Sequence, residues 1–247
     1  MTQRFRVGLI VPSSNVTMET EIPEMLRRRE AIADERYTFH SSRMRMRQVS
    51  VEELRQMDHE SVRCALELSD ARVDVMAYAC LVAIMSQGAG YHCRSEQRLT
   101  TAAADNGGPA RVVSSAGALV EALGLLGAER IAMITPYVTS LTAQVADYIE
   151  GSGMEVADTI SLEVADNDAV GRLDAVNLRS LYQELDLDGV DALVLSACVQ
   201  MPSLASIQVV EDESGLPVLS AATATVRKIL DVLGRDPHVP GAGRLLA

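Results

Sequence analysis

Short apolar runs alternate with longer amphipathic segments along the whole chain. Arg6–Val11 (RVGLIV) reads as a buried strand, since a brief unbroken apolar run bounded by turn residues suits a strand covered on both faces. Pro12 stops it, and Ser13, Ser14 and Asn15 offer polar caps to a helix through Glu19–Arg28. Phe39–Val49 is predicted as a second strand. Within it Arg43, Arg45 and Arg47 alternate with Met44 and Met46, the two-residue period of a strand with one polar face. Ser50–Ala71 carries the clearest helical pattern. Ser50 and Glu53 make a capping-box pair, and Val51, Leu54, Met57, Val62, Leu66 and Leu68 recur at near-helical intervals. Val73–Ala79 is strand-like again and runs into Cys80.

The rhythm continues. Ser115–Leu126 reads as a helix ended by Gly127, Arg130–Thr135 as a strand, Thr139–Ile149 as a helix and Met154–Leu162 as a strand. A helix over Asp174–Leu185, a strand over Ala192–Ser196, and helices over Pro202–Glu213 and Ala221–Leu233 with a short strand at Pro217–Leu219 complete the series. Strands separated by helices imply right-handed βαβ units, hence an α/β fold whose parallel sheets carry helices on both faces.

The pattern also repeats. GLIVPSSN (8–15) matches AMITPYVT (132–139), and DVMAYACLVA (74–83) matches DALVLSACVQ (191–200). Pro12 and Pro136 are 124 residues apart and Cys80 and Cys198 are 118 apart, so two separate matches give nearly one offset. We therefore expect two similar halves, 1–110 and 111–220, divided at the turn-rich Asn106-Gly107-Gly108-Pro109, with residues 221–247 packing back on the first.

Composition narrows the function. The chain has 247 residues, 48% hydrophobic and 23% charged, an ordinary globular balance. Its net charge of −12 argues against a nucleic-acid footprint or polybasic membrane attachment. No apolar run approaches the roughly 20 residues that span a bilayer. The start, MTQRFRVGLIVPSSN, lacks the features of a secretory signal, so a soluble cytoplasmic protein is expected. The four cysteines contain no CxxC and the four histidines are scattered, so neither a disulfide framework nor a metal site is expected. Gly88-Ala89-Gly90 lacks the context of a nucleotide loop, so no cofactor is expected. Chemistry then rests on side chains.

In parallel α/β sheets, ligands sit beyond the carboxyl ends of the strands. Cys80 and Cys198 stand at such ends, and Asn15 and Tyr137 follow the paired prolines. A lone cysteine there is often a small hydrophobe, but packing alone does not require both halves to keep a thiol at matching positions. Cys64 (inside a helix) and Cys93 (in a loop-like stretch) are read as having no such role, and Arg27-Arg28-Arg29 as the solvated end of a helix.

PSSNVTMETE (12–21), AYACLVA (77–83), TPYV (135–138) and SACVQMPSL (196–204) resemble the maleate cis-trans isomerases of the aspartate/glutamate racemase superfamily, over nearly the whole chain. The resemblance implies two flavodoxin-like halves about a pseudo-two-fold axis, a site between them, a homodimer, and cofactor-free conversion of maleate to fumarate. It assigns Cys80 as nucleophile and Cys198 as its partner thiol, with Asn15, Tyr137 and Asn167 matching polar residues of the family pocket.

The chemistry is coherent. Thiolate addition makes the C2–C3 bond single, rotation follows, and elimination restores the double bond. A helix beginning just after Cys80 is expected to lower its pKa. Backbone N–H groups around Ser13–Asn15 and from Val199 to Ser203 are candidate cradles for the substrate carboxylates, and an arginine of the 43–47 stretch is a candidate to draw in the dianion. Two readings compete: a two-cysteine amino-diacid racemase, and a non-catalytic dicarboxylate binder or thiol redox sensor.

Overall fold

The computed structural model describes residues 2–46 and 51–247. The first half runs β1 (Gln3–Pro12), α1 (Met18–Glu30), β2 (Glu35–Met44), α2 (Val51–Asp70), β3 (Val75–Tyr78), α3 (Leu81–Met85), α4 (Tyr91–Asp105), β4 (Arg111–Ser114) and α5 (Ser115–Leu125). The second runs β5 (Arg130–Thr135), α6 (Thr139–Glu150), β6 (Glu155–Ser161), α7 (Asn167–Gly171), α8 (Leu178–Leu181), β7 (Ala192–Ser196), α9 (Leu204–Ser214), β8 (Val218–Ser220) and α10 (Ala221–Val232). Among the described residues the strands form two four-stranded parallel sheets, in the orders β2-β1-β3-β4 and β6-β5-β7-β8. One strand order appears twice, so the internal repeat is a repeat of topology.

Position in the sheet explains the patterns. β1 lies between β2 and β3 and is buried from Val7 to Pro12; β3 and β7 are buried throughout. β2 lies at an edge and alternates, with Met44 buried and Arg43 exposed; Met46 and Arg45 just beyond it continue that alternation. In both halves the last strand ends on a serine that caps the next helix. Ser114 Oγ accepts from Gly117 N, and Ser220 forms a capping box with Thr223. The helices so started, α5 and α10, pack against each other, and α10 also lies on α1, β3 and β4.

Several expectations change. β4 pairs with β3, so the first sheet extends to Ser114, past the expected division at residue 110. Cys93 lies in α4 rather than in a loop. That helix buries only Ser95, Leu99 and Ala103, a stripe with one large apolar residue and little periodic signal. The single helix expected over Asp174–Leu185 is the four-residue α8 between 3-10 turns at Ala175–Asn177 and Tyr182–Glu184. Arg29 is buried, not solvated: it forms a two-bond pair with Glu35 (2.7 and 3.0 Å) and donates to the carbonyl of His238 (3.0 Å). The expected second strand ends at Met44, and Arg47 and the capping residue Ser50 lie outside the described residues. No helix among the described residues is long and apolar enough to cross a membrane.

Candidate active site

The carboxyl ends of β1, β3, β5 and β7 converge on one cavity. Pro12, Asn15, Met46, Cys80, Leu81 and Val82 line it from the first half, and Tyr137, Asn167, Cys198, Val199 and Gln200 from the second. All six residues singled out from the sequence therefore meet here: Cys80, Cys198, Asn15, Tyr137, Asn167 and Val199. The cavity is narrow, with a volume of about 10 Å³ between these side chains. None of the described residues lining it carries a full positive charge. Arg43 is committed elsewhere. It pairs with Glu19 and donates to the carbonyls of Ser13 (2.7 Å) and Asn15 (3.0 Å), bracing the loop after β1.

A dianion here meets neutral donors instead. Asn15 Oδ1 accepts from Met18 N (3.0 Å), which commits the oxygen to the start of α1 and leaves the NH2 group for a ligand. Asn167 donates one amide hydrogen to Ser14 Oγ (2.8 Å) and keeps the other. Tyr137 is buried with its hydroxyl 3.5 Å from the carbonyl of Ala197, and burial pushes its pKa well above 10.0, so it stays a donor.

Both thiols are buried, and neither resembles the acidic cysteine expected from a following helix. Burial pushes Cys80 up to about 12, outweighing the backbone N–H groups of Ala83 and Val82 that favour its thiolate; Cys198 nearby raises it further. The helix after Cys80 exists, but α3 has only five residues. Burial also pushes Cys198 up, against hydrogen bonding from Tyr137 and from the N–H groups of Gln200 and Met201. Two thiols in one cavity titrate as a pair: once one ionises, the other holds its proton more tightly. With burial raising both, the pair is doubly protonated at neutral pH, and a thiolate–thiol state forms only as pH rises. Cys64 is buried, Cys93 is exposed, and all four cysteines are free. No group of three or more His, Cys, Asp or Glu among the described residues is arranged to hold a metal ion.

Five contributors escaped the sequence reading. Met46, Leu81 and Val82 give the cavity apolar walls. Gln200 is buried and bonds to residues of both halves. Glu21, on α1, accepts from Ser203 N (2.6 Å) and Leu204 N (2.7 Å), so a first-half carboxylate caps α9 of the second half. The legible signal was a polar side chain inside an otherwise apolar string, as in ACVQM at 197–201.

Two parallel α/β halves with a thiol from each in one small pocket define a class, and comparison with known proteins identifies it. Residues 7–246 match the arylmalonate decarboxylase family, and the chain belongs to that family. A maleate isomerase from Geobacillus stearothermophilus is 60% identical over 248 residues, covering 100% of this chain and 99% of that one. A maleate isomerase variant from Pseudomonas putida S16, crystallised with maleate, is 54% identical, covers 99% of this chain and 98% of that one, and superposes with a TM-score of 0.98. A Nocardia farcinica maleate cis-trans isomerase variant with a covalently bound succinylcysteine intermediate is 48% identical over 98% of each chain, with a TM-score of 0.95. Within the family the chain is a cis-trans isomerase, grouped with the maleate isomerases.

Proposed function

We propose that the chain converts maleate to fumarate without a cofactor, with Cys80 as nucleophile and Cys198 as acid and base. The Cys80 thiolate adds to C2 and the π electrons move to C3, where they are shared with the adjoining carboxylate. Cys198 delivers its proton to C3, giving a succinyl thioether with a rotatable C2–C3 bond. After rotation the Cys198 thiolate recovers a proton from C3, the π bond reforms and the C–S bond breaks, returning Cys80 as thiolate. Atoms and charge balance, and no electron acceptor is needed. In a succinyl thioether the carbon not bonded to sulfur carries two hydrogens where maleate carries one, so the succinylcysteine in the N. farcinica relative supports protonation as part of the route.

The amide groups of Asn15 and Asn167, the Tyr137 hydroxyl and the backbone at Val199 bind the two carboxylates and the charge that develops on one of them. The observation that carries this reading is the shared cavity: Cys80 and Cys198 line it from opposite halves among neutral donors. The resemblance to the isomerase family supports a small dicarboxylate as substrate, and it also underlies our reading of the enzyme as a homodimer.

The test is proton NMR of maleate with the purified, reduced protein and no added cofactor. A growing fumarate signal is expected. Its absence from protein with intact free thiols overturns the proposal.

A further inference from the structure

Gln200 is 1% exposed, and its carboxamide is a junction between the halves. Oε1 accepts from the N–H groups of Val16 (2.9 Å) and Thr17 (3.3 Å), while Nε2 donates to the carbonyls of Ser14 (3.0 Å) and Asn167 (2.9 Å). A primary amide offers two donors and two acceptor sites. All four are used, so this amide has none left for a substrate. Its partners bracket the site: Ser14 and Val16 flank Asn15, and the fourth is the carbonyl of Asn167 itself. The backbone N–H of Gln200 also approaches Cys198 Sγ (3.4 Å). One residue therefore touches the loop of Asn15, the backbone of Asn167 and the thiol of Cys198.

The second half leaves room for this junction. A Cβ at Gly171, on α7, would sit 2.5 Å from Gln200 Nε2, 3.1 Å from its Cδ and 3.4 Å from Val16 Cγ2. Gly171 is in helical conformation without positive φ, so the steric fit to Gln200, rather than backbone freedom, explains a glycine there.

We propose that Gln200 is the positioning residue that sets the spacing of Asn15, Asn167 and Cys198 around the substrate, with the bare α-carbon of Gly171 as its complement. The assignment rests on the maleate isomerase reading of the site. Truncating the side chain strands two N–H groups and two carbonyls in a buried place, and the loop must shift to satisfy them. Asn15 then moves relative to Asn167. Donors to carboxylates act in the ground state as well as the transition state, so their misplacement raises KM, while displacement of Cys198 and of the donors to the developing charge lowers kcat as well.

The experiment is steady-state kinetics with maleate on the parent chain, Gln200→Ala, Gly171→Ala and the double variant. Gln200→Ala is expected to raise KM at least about tenfold, with a loss in kcat/KM approaching 10²-fold, the scale of a roughly 1 Å misplacement. Gly171→Ala is expected to raise KM in the same direction, and to lose that effect once Gln200 is alanine. A purely structural role lowers the active fraction, and so kcat, at unchanged KM. That result, or additive effects in the double variant, overturns the assignment. Should Gln200→Ala not fold, Gly171→Ala decides through KM alone. A parent chain that makes no fumarate refutes the reading of the site itself, and is distinct from an active parent whose KM does not respond.

Discussion

Cys80 and Cys198 stand at matching ends of β3 and β7, yet they are held differently. β3 passes directly into α3, so Cys80 rests on the N–H groups of its own half, from Val82 and Ala83. β7 passes into a loop, residues 197–203, before α9 begins. That loop is fastened to the other half: Gln200 bonds to Ser14, Val16 and Thr17, and Glu21 bonds to Ser203 and Leu204. A duplicated fold supplied two equivalent thiols, and the connections after each strand made them unlike. One is supported locally; the other depends on the halves staying in register and faces the Tyr137 hydroxyl.

Removing each thiol breaks the comparison most directly. Cys80→Ala is expected to abolish turnover, a loss on the order of 10⁴-fold or more, because no covalent route remains; fumarate NMR measures it. Cys198→Ala is expected to cost about 10²–10⁴-fold, the range for a positioned acid–base group. Mass spectrometry of the two variants incubated with maleate separates the roles. A thioether adduct is expected on Cys80 in the Cys198 variant and none on Cys198 in the Cys80 variant. The reverse pattern exchanges the roles.

The pH response sharpens the same contrast. Burial holds Cys80 at about 12, and its thiolate is the attacking form, so kcat/KM is expected to climb about tenfold per pH unit above neutrality. Tyr137→Phe removes the hydrogen bond that lowers the Cys198 pKa, so any limb governed by Cys198 is expected to shift to higher pH. The lost donor should also cost about 10²-fold in rate if it serves the developing charge. A flat profile between pH 6 and 9 (about three units of a single ionisation) sets the buried-thiol picture aside.

What was legible in the sequence follows from the same physics. Arg130–Thr135 and Ala192–Ser196 were read with the bounds the structure gives, because interior strands are short apolar runs with sharp polar edges. The paired thiols were visible because strand ends keep their offset in a duplication. The stretch from Leu81 to Ser114 was not. α3 is a five-residue apolar run without a period, α4 buries a narrow stripe of mostly small residues, and β4 has four residues after a glycine-rich turn. Asn167 came from the resemblance alone, since beside Asp166 and Asp168 it reads as a turn residue; Asp166 in fact caps α7, in which Asn167 is the first residue. Gln200 and Glu21 went unread because their partners in the other half are more than 180 residues away in the chain, as for Ser203 N on Glu21.

The smallest expected effect probes how Cys198 is held. Glu21 is buried at the start of α9, and burial raises its pKa above 4.5 against the hydrogen bonds from Leu204 and Ser203 that lower it. A carboxyl group whose native pKa is raised stabilises the fold fully below its unfolded value, and that contribution is lost as pH rises through the native value. Glu21→Gln keeps an oxygen to accept from Ser203 N and Leu204 N and never ionises. It is therefore expected to flatten the pH dependence of melting between mildly acidic and neutral conditions. At neutral pH it should match the parent or exceed it by about 2–4 °C, the shift that about 1 kcal/mol produces in a chain of this size. Glu21→Ala leaves both N–H groups without an acceptor and is expected to melt lower at every pH, with a larger loss of activity than Glu21→Gln because the Cys198 loop is released. If Glu21→Gln instead melts below the parent at neutral pH while the two converge in acid, the ionised carboxylate holds the loop, and charge at the helix start outweighs the cost of burying it.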